Sequence, residues 1–254
     1  MYQRLFQNRQ IKVGVEFMVL ESGSIKISGL VTDYDDFIRS KSNPFGRIRS
    51  FRAIDGIDCQ VEPGEVVALI GRNGAGKSTL LKVITGFLRP SKGVVETSGR
   101  VFLLAGSNPG LMFQLSGREN ARLLGLAYGE EKENIVSFVK SVEEFCNLGE
   151  GFDRKVGGYS TGMRGKLGFG IITALNPDIL LIDETLGVGD REFRAKAQIR
   201  LRDFIDRSGT VLISTHSLGL AKELCSRGIL LENGKIESEG EIQEVIDRYI
   251  EITD

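Results

Sequence analysis

The sequence predicts an α/β chain: a parallel sheet core, a helical insertion in its middle, and a small antiparallel part on the N-terminal side. Three observations lead there. The 32 glycines, against 5 prolines, punctuate short apolar runs, as strands alternating with helices require. Apolar runs at 66–70, 179–182 and 211–214 read as strands with helical segments around them. From about Ser116 the hydrophobic period lengthens to that of a helix.

Taken in order, residues 24–30 alternate like a half-exposed strand. The stretch 38–52 is basic (Arg39, Lys41, Arg47, Arg49, Arg52) and contains no acid. Pro44 and Gly46 within it suggest a loop or irregular segment. The strand 66–70 runs into a glycine loop, a helix opens at Thr79, and 80–84 continue it. Residues 93–97 and 100–104 read as a strand pair. Ser116 and Glu119 form a capping box that opens a helix with Ala121, Leu124 and Ala127 on one face. Helical character continues through 136–145 and 163–175, where Asn176-Pro177 stops it. Asn233-Gly234 between 229–231 and 235–237 signals a type I′ hairpin, and 242–250 form a terminal amphipathic helix. No internal repeat or low-complexity segment is visible.

Composition bounds the function. With 254 residues, 41% hydrophobic and 26% charged, the chain can build one large domain or two small ones. Lys+Arg number 33 and Asp+Glu 34, so the global basic excess of a nucleic-acid binder is missing and no nucleic acid is expected. No run approaches the roughly 18–20 apolar residues of a membrane span. Cys59, Cys146 and Cys225 are far apart, odd in number and without a CxxC pair, so free buried thiols are expected. The N-terminus lacks the apolar core of a secretory signal, and the cytoplasm is the expected compartment.

The chemistry concentrates in a few places. Gly71-Arg-Asn73-Gly74-Ala75-Gly76-Lys77-Ser78 matches G-x-x-x-x-G-K-[ST], between a strand and the helix at Thr79, as the motif needs. Glycines there let backbone N–H groups converge on phosphate oxygens, and the helix N-terminus adds positive partial charge. Lys77 reaches the β- and γ-phosphates, and Ser78 is placed to ligate Mg²⁺. Asp183 and Glu184 stand at the carboxyl end of a strand, which in a parallel sheet faces the same crevice. Asp183 would hold Mg²⁺ directly or through water, and Glu184 would act as general base on the attacking water. His216, the only histidine, follows another strand; by position it is a surface residue or a partner of the γ-phosphate. Tyr159-Ser160-Thr161-Gly162-Met163 opens a helix and offers a second anion site, or is a polar turn capping that helix. A second site serves no purpose in one chain holding one nucleotide, but it does in a dimer whose chains complete each other's site.

The ordered set GRNGAGKS, YSTGM, LLIDE, Gly187-Val-Gly-Asp190 and STH resembles the ATP-binding-cassette ATPases from about Ser24 onward. The resemblance implies a P-loop (RecA-like) sheet core that binds and hydrolyses ATP with Mg²⁺. It implies Ser160, Thr161 and Gly162 as a signature acting across a homodimer, Asp190 in the loop coupling the two sites, and His216 as the switch histidine. The YSTGM form, the GVGD that follows the acidic pair, Gly117–Asn120 (GREN) and the closing VIDRYIE look like the subfamily that powers export of lipid-linked O-antigen, capsule or teichoic acid. That subfamily works as two ATPase subunits with two copies of an integral membrane permease, on the cytoplasmic face of the inner membrane. Cassettes of translation or DNA repair are the alternative, but their paired cassettes or long coiled-coil insertions are not visible. A non-hydrolysing binding module is opposed by the joint presence of Lys77, Asp183, Glu184 and His216.

The resemblance divides the chain into an extension (1–23) and an ATPase domain (24–254), with a helical subdomain at about 106–175 where the permease docks. No C-terminal carbohydrate-binding domain is expected. Two departures stand out. Cassettes carry a glutamine after the strand 100–104; here the segment 105–109 has none, Gln114 falls too late, and Ser107 or Asn108 is the candidate substitute. The adenine-stacking aromatic is Phe51 or Tyr34, and either is also read as packing.

Overall fold

The structure is a computed structural model that describes residues 22–40, 43–105, 110–183, 190–207 and 209–253. Two long strands, β1 (Ile25–Ser40) and β2 (Asn43–Val61), pair antiparallel, and β3 (Val66–Ile70) leads into α1 (Lys77–Ile84). Next come β4 (Lys92–Thr97) and β5 (Val101–Ala105). α2 (Gly117–Ala127), α3 (Ile135–Cys146), two 3-10 turns and α4 (Thr161–Ala174) follow. The chain continues through β6 (Ile179–Asp183), α5 (Arg191–Asp206), β7 (Thr210–Ser214) and α6 (Leu218–Leu224). It ends with β8 (Arg227–Glu232), β9 (Lys235–Glu241) and α7 (Ile242–Thr253).

Two sheets result. One has the order β2-β1-β4; the other has the order β5-β6-β7-β3-β8-β9, parallel except for the β9 edge. All five residues of β3 are buried. Val66, Ala68 and Ile70 join the cluster that covers one face with residues of α2 to α7. Val67 and Leu69 join the cluster that packs α1 and the antiparallel sheet on the other face. A strand covered on both faces has no polar side, which is why 66–70 reads as an unbroken apolar run. The helix after β3 lies on one face and those after β6 and β7 on the other. The switch between neighbouring β3 and β7 opens a crevice at the carboxyl ends of the strands.

Four expectations are corrected. In the basic stretch 38–52 the described residues, 38–40 and 43–52, are strand, not loop: they end β1 and form much of β2. Its lack of acid is answered across the ladder, where Asp33 faces Arg52 in register. Arg52 bonds Asp33 at 3.0 Å and Asp55 at 2.9 Å. Pro44 is tolerated because β2 is an edge strand. Segments 93–97 and 100–104 are strands but not a pair: β4 joins β1 and β5 joins β6. The chain changes sheets between them, which no local pattern records. Ala127 is exposed; the buried face of α2 is Gly117, Asn120, Ala121, Leu124 and Gly125. The first helix also opens earlier than expected, at Lys77.

Other readings hold. The Ser116–Glu119 capping box has both of its hydrogen bonds. Asn233 (φ 47°) and Gly234 (φ 78°) both adopt the left-handed backbone that a type I′ turn demands. The three thiols are free, and burial pushes each up to about 12, so they stay protonated at neutral pH.

The segment 117–120 has a structural explanation. A Cβ on Gly117 would lie 2.5 Å from the Tyr159 hydroxyl and 2.9 Å from the Phe152 carbonyl oxygen. Arg118 lies over the Phe152 ring and bonds Glu143 and Asp153 at 2.6 Å each. Glu119 closes the capping box, and the Ser116 N–H it accepts holds its carboxyl below the usual range. Asn120 is completely buried; its Oδ1 accepts the Met112 N–H at 2.7 Å, and its Nδ2 donates to the carbonyls of Met112 and Ser116 at 3.0 and 2.8 Å. Asn120→Ala removes the acceptor of the Met112 N–H and empties a completely buried polar position, while the Met112 and Ser116 carbonyls keep the N–H donors of Leu115 and residue 120. It should cost about 2–3 kcal/mol, read as a lower urea midpoint at unchanged slope.

Candidate functional site

The site is built at the carboxyl edge of the large sheet. Leu69, Ser214 and Asp183 lie in one register row across β3, β7 and β6. With neighbouring strands about 4.8 Å apart, Asp183 is roughly 10 Å across the sheet from β3. The glycine loop begins at Gly71, two residues past Leu69, and His216 lies two residues past Ser214. The loop, the histidine and the acid therefore rise side by side from adjacent strands. His216 is exposed there. Glu184, Gly187, Ser107 and Asn108 lie outside the described residues.

The loop places its N–H groups by shape. Gly76, at the N-cap of α1, has φ 109°, and a Cβ there would meet the Ala53 carbonyl oxygen at 2.7 Å. Only glycine lets the helix start so close to β2. From the other side the β8–β9 turn braces the loop: Gly234 N–H donates to the Ala75 carbonyl at 3.0 Å, and Asp55 N–H to the Gly234 carbonyl at 2.9 Å. No side chain caps α1 and its first turn holds no acid, so its leading N–H groups have no intrahelical acceptor, the arrangement that suits an anion. Arg72, Asn73, Gly74 and Ser78 are exposed and Ala75 is buried. Lys77 is only 6% exposed, and its ammonium donates to the carbonyls of Gly71 (2.6 Å) and Arg72 (3.0 Å).

The two aromatic candidates turn out to be neighbours. Tyr34 and Phe51 face each other in the β1–β2 register and so point to the same side of the ribbon. Phe51 is 61% exposed, and the Tyr34 hydroxyl lies 3.3 Å from Thr79 Oγ1. That contact sets this side of the ribbon against the start of α1.

Asp183 Oδ1 is buried at the crevice and has no hydrogen-bond partner among the described residues. An acceptor held so, with the exposed Ser78 on the facing helix start, is a donor set that fits a hard divalent cation.

The second helix start singled out in the sequence is that of α4. Ser160 is its N-cap, with Oγ accepting the Met163 N–H at 3.2 Å. Ser160 and Thr161 are exposed, Gly162 is half-buried, and the first turn contains no acid. Arg164 and Lys166 follow instead. Cations near a helix N-terminus oppose its dipole unless something negative joins them. For Lys166 that is Asp190, the N-cap of α5, which accepts Lys166 Nζ at 2.5 Å and the Phe193 N–H at 2.8 Å. The sequence reading missed Lys166, and this dipole mismatch is the signal that could have found it. Ser214 was missed as well, although it was legible as a polar residue closing an apolar strand.

The Lys166 ammonium, then the Phe193 N–H, hold the Asp190 carboxyl below its ordinary value of 3.8. Its contribution to stability is thus complete above 3.8 and fades as pH falls through the lowered value. Lys166→Met should return the Asp190 titration toward 3.8, measured by carboxyl-carbon NMR, and leave wild type and variant equally stable once Asp190 is protonated.

The sequence matches the family described as ABC transporter over residues 54–187. It is 40% identical over 201 residues to the "O-antigen export system ATP-binding protein RfbB" of Klebsiella pneumoniae, covering 79% of this chain and 82% of that protein. It is 35% identical over 234 residues to the "Teichoic acids export ATP-binding protein TagH" of Staphylococcus haemolyticus, covering 90% and 88%. Against the Bacillus anthracis TagH it is 38% identical over 217 residues, spanning 85% of this chain but 38% of that longer protein. Among solved structures, an ATP-binding subunit of an ABC transporter superposes with TM-score 0.75 at 22% identity, over 91% of this chain and 99% of that one. The dimeric cassette MJ0796, bound to ADP and Pi, gives 0.72 at 20% identity, over 86% and 98%, and shares the fold. The order of motifs along the sequence and the fold that carries them have one explanation: this chain is a member of the ABC transporter family.

Proposed function

We propose that the chain is the ATP-binding and ATP-hydrolysing subunit of a membrane exporter for a lipid-linked polysaccharide, of the O-antigen, capsule or teichoic acid class. The observation that carries the chemistry is the row of strand ends that sets the glycine loop, His216 and Asp183 along one crevice. The substrate class is supported by relatives at 35–40% identity whose names specify O-antigen or teichoic acid export.

In this reading Gly71, Asn73, Gly74, Ala75 and Gly76 shape the loop around the β-phosphate. Lys77, Ser78 and Thr79 present backbone N–H groups, and the Lys77 ammonium exchanges its carbonyl partners for phosphate oxygens. Phe51, with Tyr34 beside it, stacks on adenine. Ser78 and Asp183 would hold Mg²⁺, which supplies charge neutralisation on the transferring phosphoryl group. Glu184 takes the proton of the attacking water, and His216 orients that water against the γ-phosphate. Electrostatic preorganisation of this kind needs donors already in place, and the loop braced by Ala53 and Gly234 supplies them.

The start of α4 faces the second nucleotide of a homodimer: Ser160, Thr161 and Gly162 of one chain close over the ATP held by the other, with Asp190 in the loop that couples the two sites. The helical subdomain at about 106–175, within the ATPase domain 24–254, docks one of two permease copies. The assembly sits peripherally on the cytoplasmic face of the inner membrane. Consistent with a peripheral subunit, no helix among the described residues is long and apolar enough to cross a membrane.

Glu184→Gln should keep ATP binding and lose turnover by about 10²–10⁴-fold. Phosphate release at the wild-type rate would sink the assignment of the base. In that background ATP should drive dimerisation, and Ser160→Arg should abolish the dimer while monomer binding of ATP persists. Sedimentation with and without ATP decides it: a dimer that survives Ser160→Arg means the loop is only a helix cap.

A further inference from the structure

Ser214 closes β7 and is completely buried, yet its hydroxyl has no hydrogen-bond partner among the described residues. The strand residues before it, Val211, Leu212 and Ile213, are apolar and packed. Packing alone would favour another apolar side chain, because an unsatisfied buried hydroxyl is costly. Its register partner on β6 is Asp183, whose Oδ1 is the second orphaned atom at this edge.

The two side chains share a face. Each lies two residues beyond a leucine, Leu212 or Leu181, that packs in the cluster holding Leu80 and Leu81 of α1. Both are therefore turned toward the helix that the glycine loop opens. The remaining orphaned side-chain atoms among the described residues belong to Thr32, Arg164, Glu232 and Gln243, on β1, α4, β8 and α7. Only Ser214 and Asp183 are partners on adjacent strands.

We propose that Ser214 is a positioning residue for the divalent cation that accompanies the nucleotide. A water in the hydration shell of such an ion gives its lone pair to the metal and has two protons to place. Asp183 Oδ1 accepts one and Ser214 Oγ the other. The pair thereby orients the shell, and the acid acts through water rather than by direct ligation. This rests on reading the crevice as the nucleotide site.

The test uses the full chain carrying Glu184→Gln, with Mn²⁺ as the probe. Mn²⁺ affinity of the ATP complex is read by electron paramagnetic resonance, and metal-free nucleotide affinity by a fluorescent ATP analogue in EDTA. Ser214→Ala should weaken Mn²⁺ binding about ten- to a hundredfold, the worth of one hydrogen bond in a charged network. It should leave metal-free nucleotide binding unchanged and the metal-free melting temperature unchanged or higher. Ser214→Cys keeps the volume, loses the oxygen, and should lose as much. In an Asp183→Asn background the further loss should be small, since both groups hold one water. Unchanged Mn²⁺ affinity, equal losses with and without metal, or fully additive losses would overturn the proposal. A parent protein that binds neither nucleotide nor Mn²⁺ would overturn the nucleotide-site reading itself.

Discussion

The structure depends on one helix start, that of α1. The leading N–H groups of α1 have no intrahelical acceptor, no side-chain cap and no acid in the first turn. That arrangement is unfavourable for a helix by itself and is what an anion site needs. Much of the surrounding fold holds it in place. β3, buried on both faces, fixes where the loop departs. β2 brings the Ala53 carbonyl so close that residue 76 must be glycine, and the β8–β9 turn props the loop through Ala75. The brace comes from residues more than a hundred positions downstream, so the rigidity of the loop is a property of the whole sheet.

The start of α4 repeats the device with a difference. It too lacks acid in its first turn, but Ser160 caps it and Lys166 ties it to Asp190 at the start of α5. The second helix start is thus mechanically joined to the segment that follows Asp183 and Glu184. A displacement of α4 is felt at Asp190 through one short ion pair. In the helical layer the same logic of satisfied ends recurs: the 117–120 segment reads as a motif because each of its residues meets a separate steric or hydrogen-bonding demand.

Legibility in the sequence followed the range of the interaction. The glycine loop, the capping box, the type I′ turn and the apolar strands are local, and each was visible from a few neighbouring residues. The basic stretch 38–52 was misread because the acid that Arg52 bonds, Asp33, sits on the paired strand rather than within the run. The supposed pair 93–97 and 100–104 was misread because adjacency in sequence says nothing about which sheet a strand joins. Phe51 and Tyr34 are alternatives for one role in the sequence, and the register sets them opposite each other.

What the sequence by itself determined is the family and its motifs: the glycine loop, the acidic strand end and the histidine, and in what order they come along the chain. Those choices depend on residue type and spacing, and both survive in one dimension. What only the tertiary structure decided is the company each residue keeps. The Leu69–Ser214–Asp183 row, the Lys166–Asp190 tie and the Gly234 prop join residues separated by tens to more than a hundred positions. Their pairing is set by strand order and register, which arise from the packing of both sheet faces together and leave no local trace in the sequence.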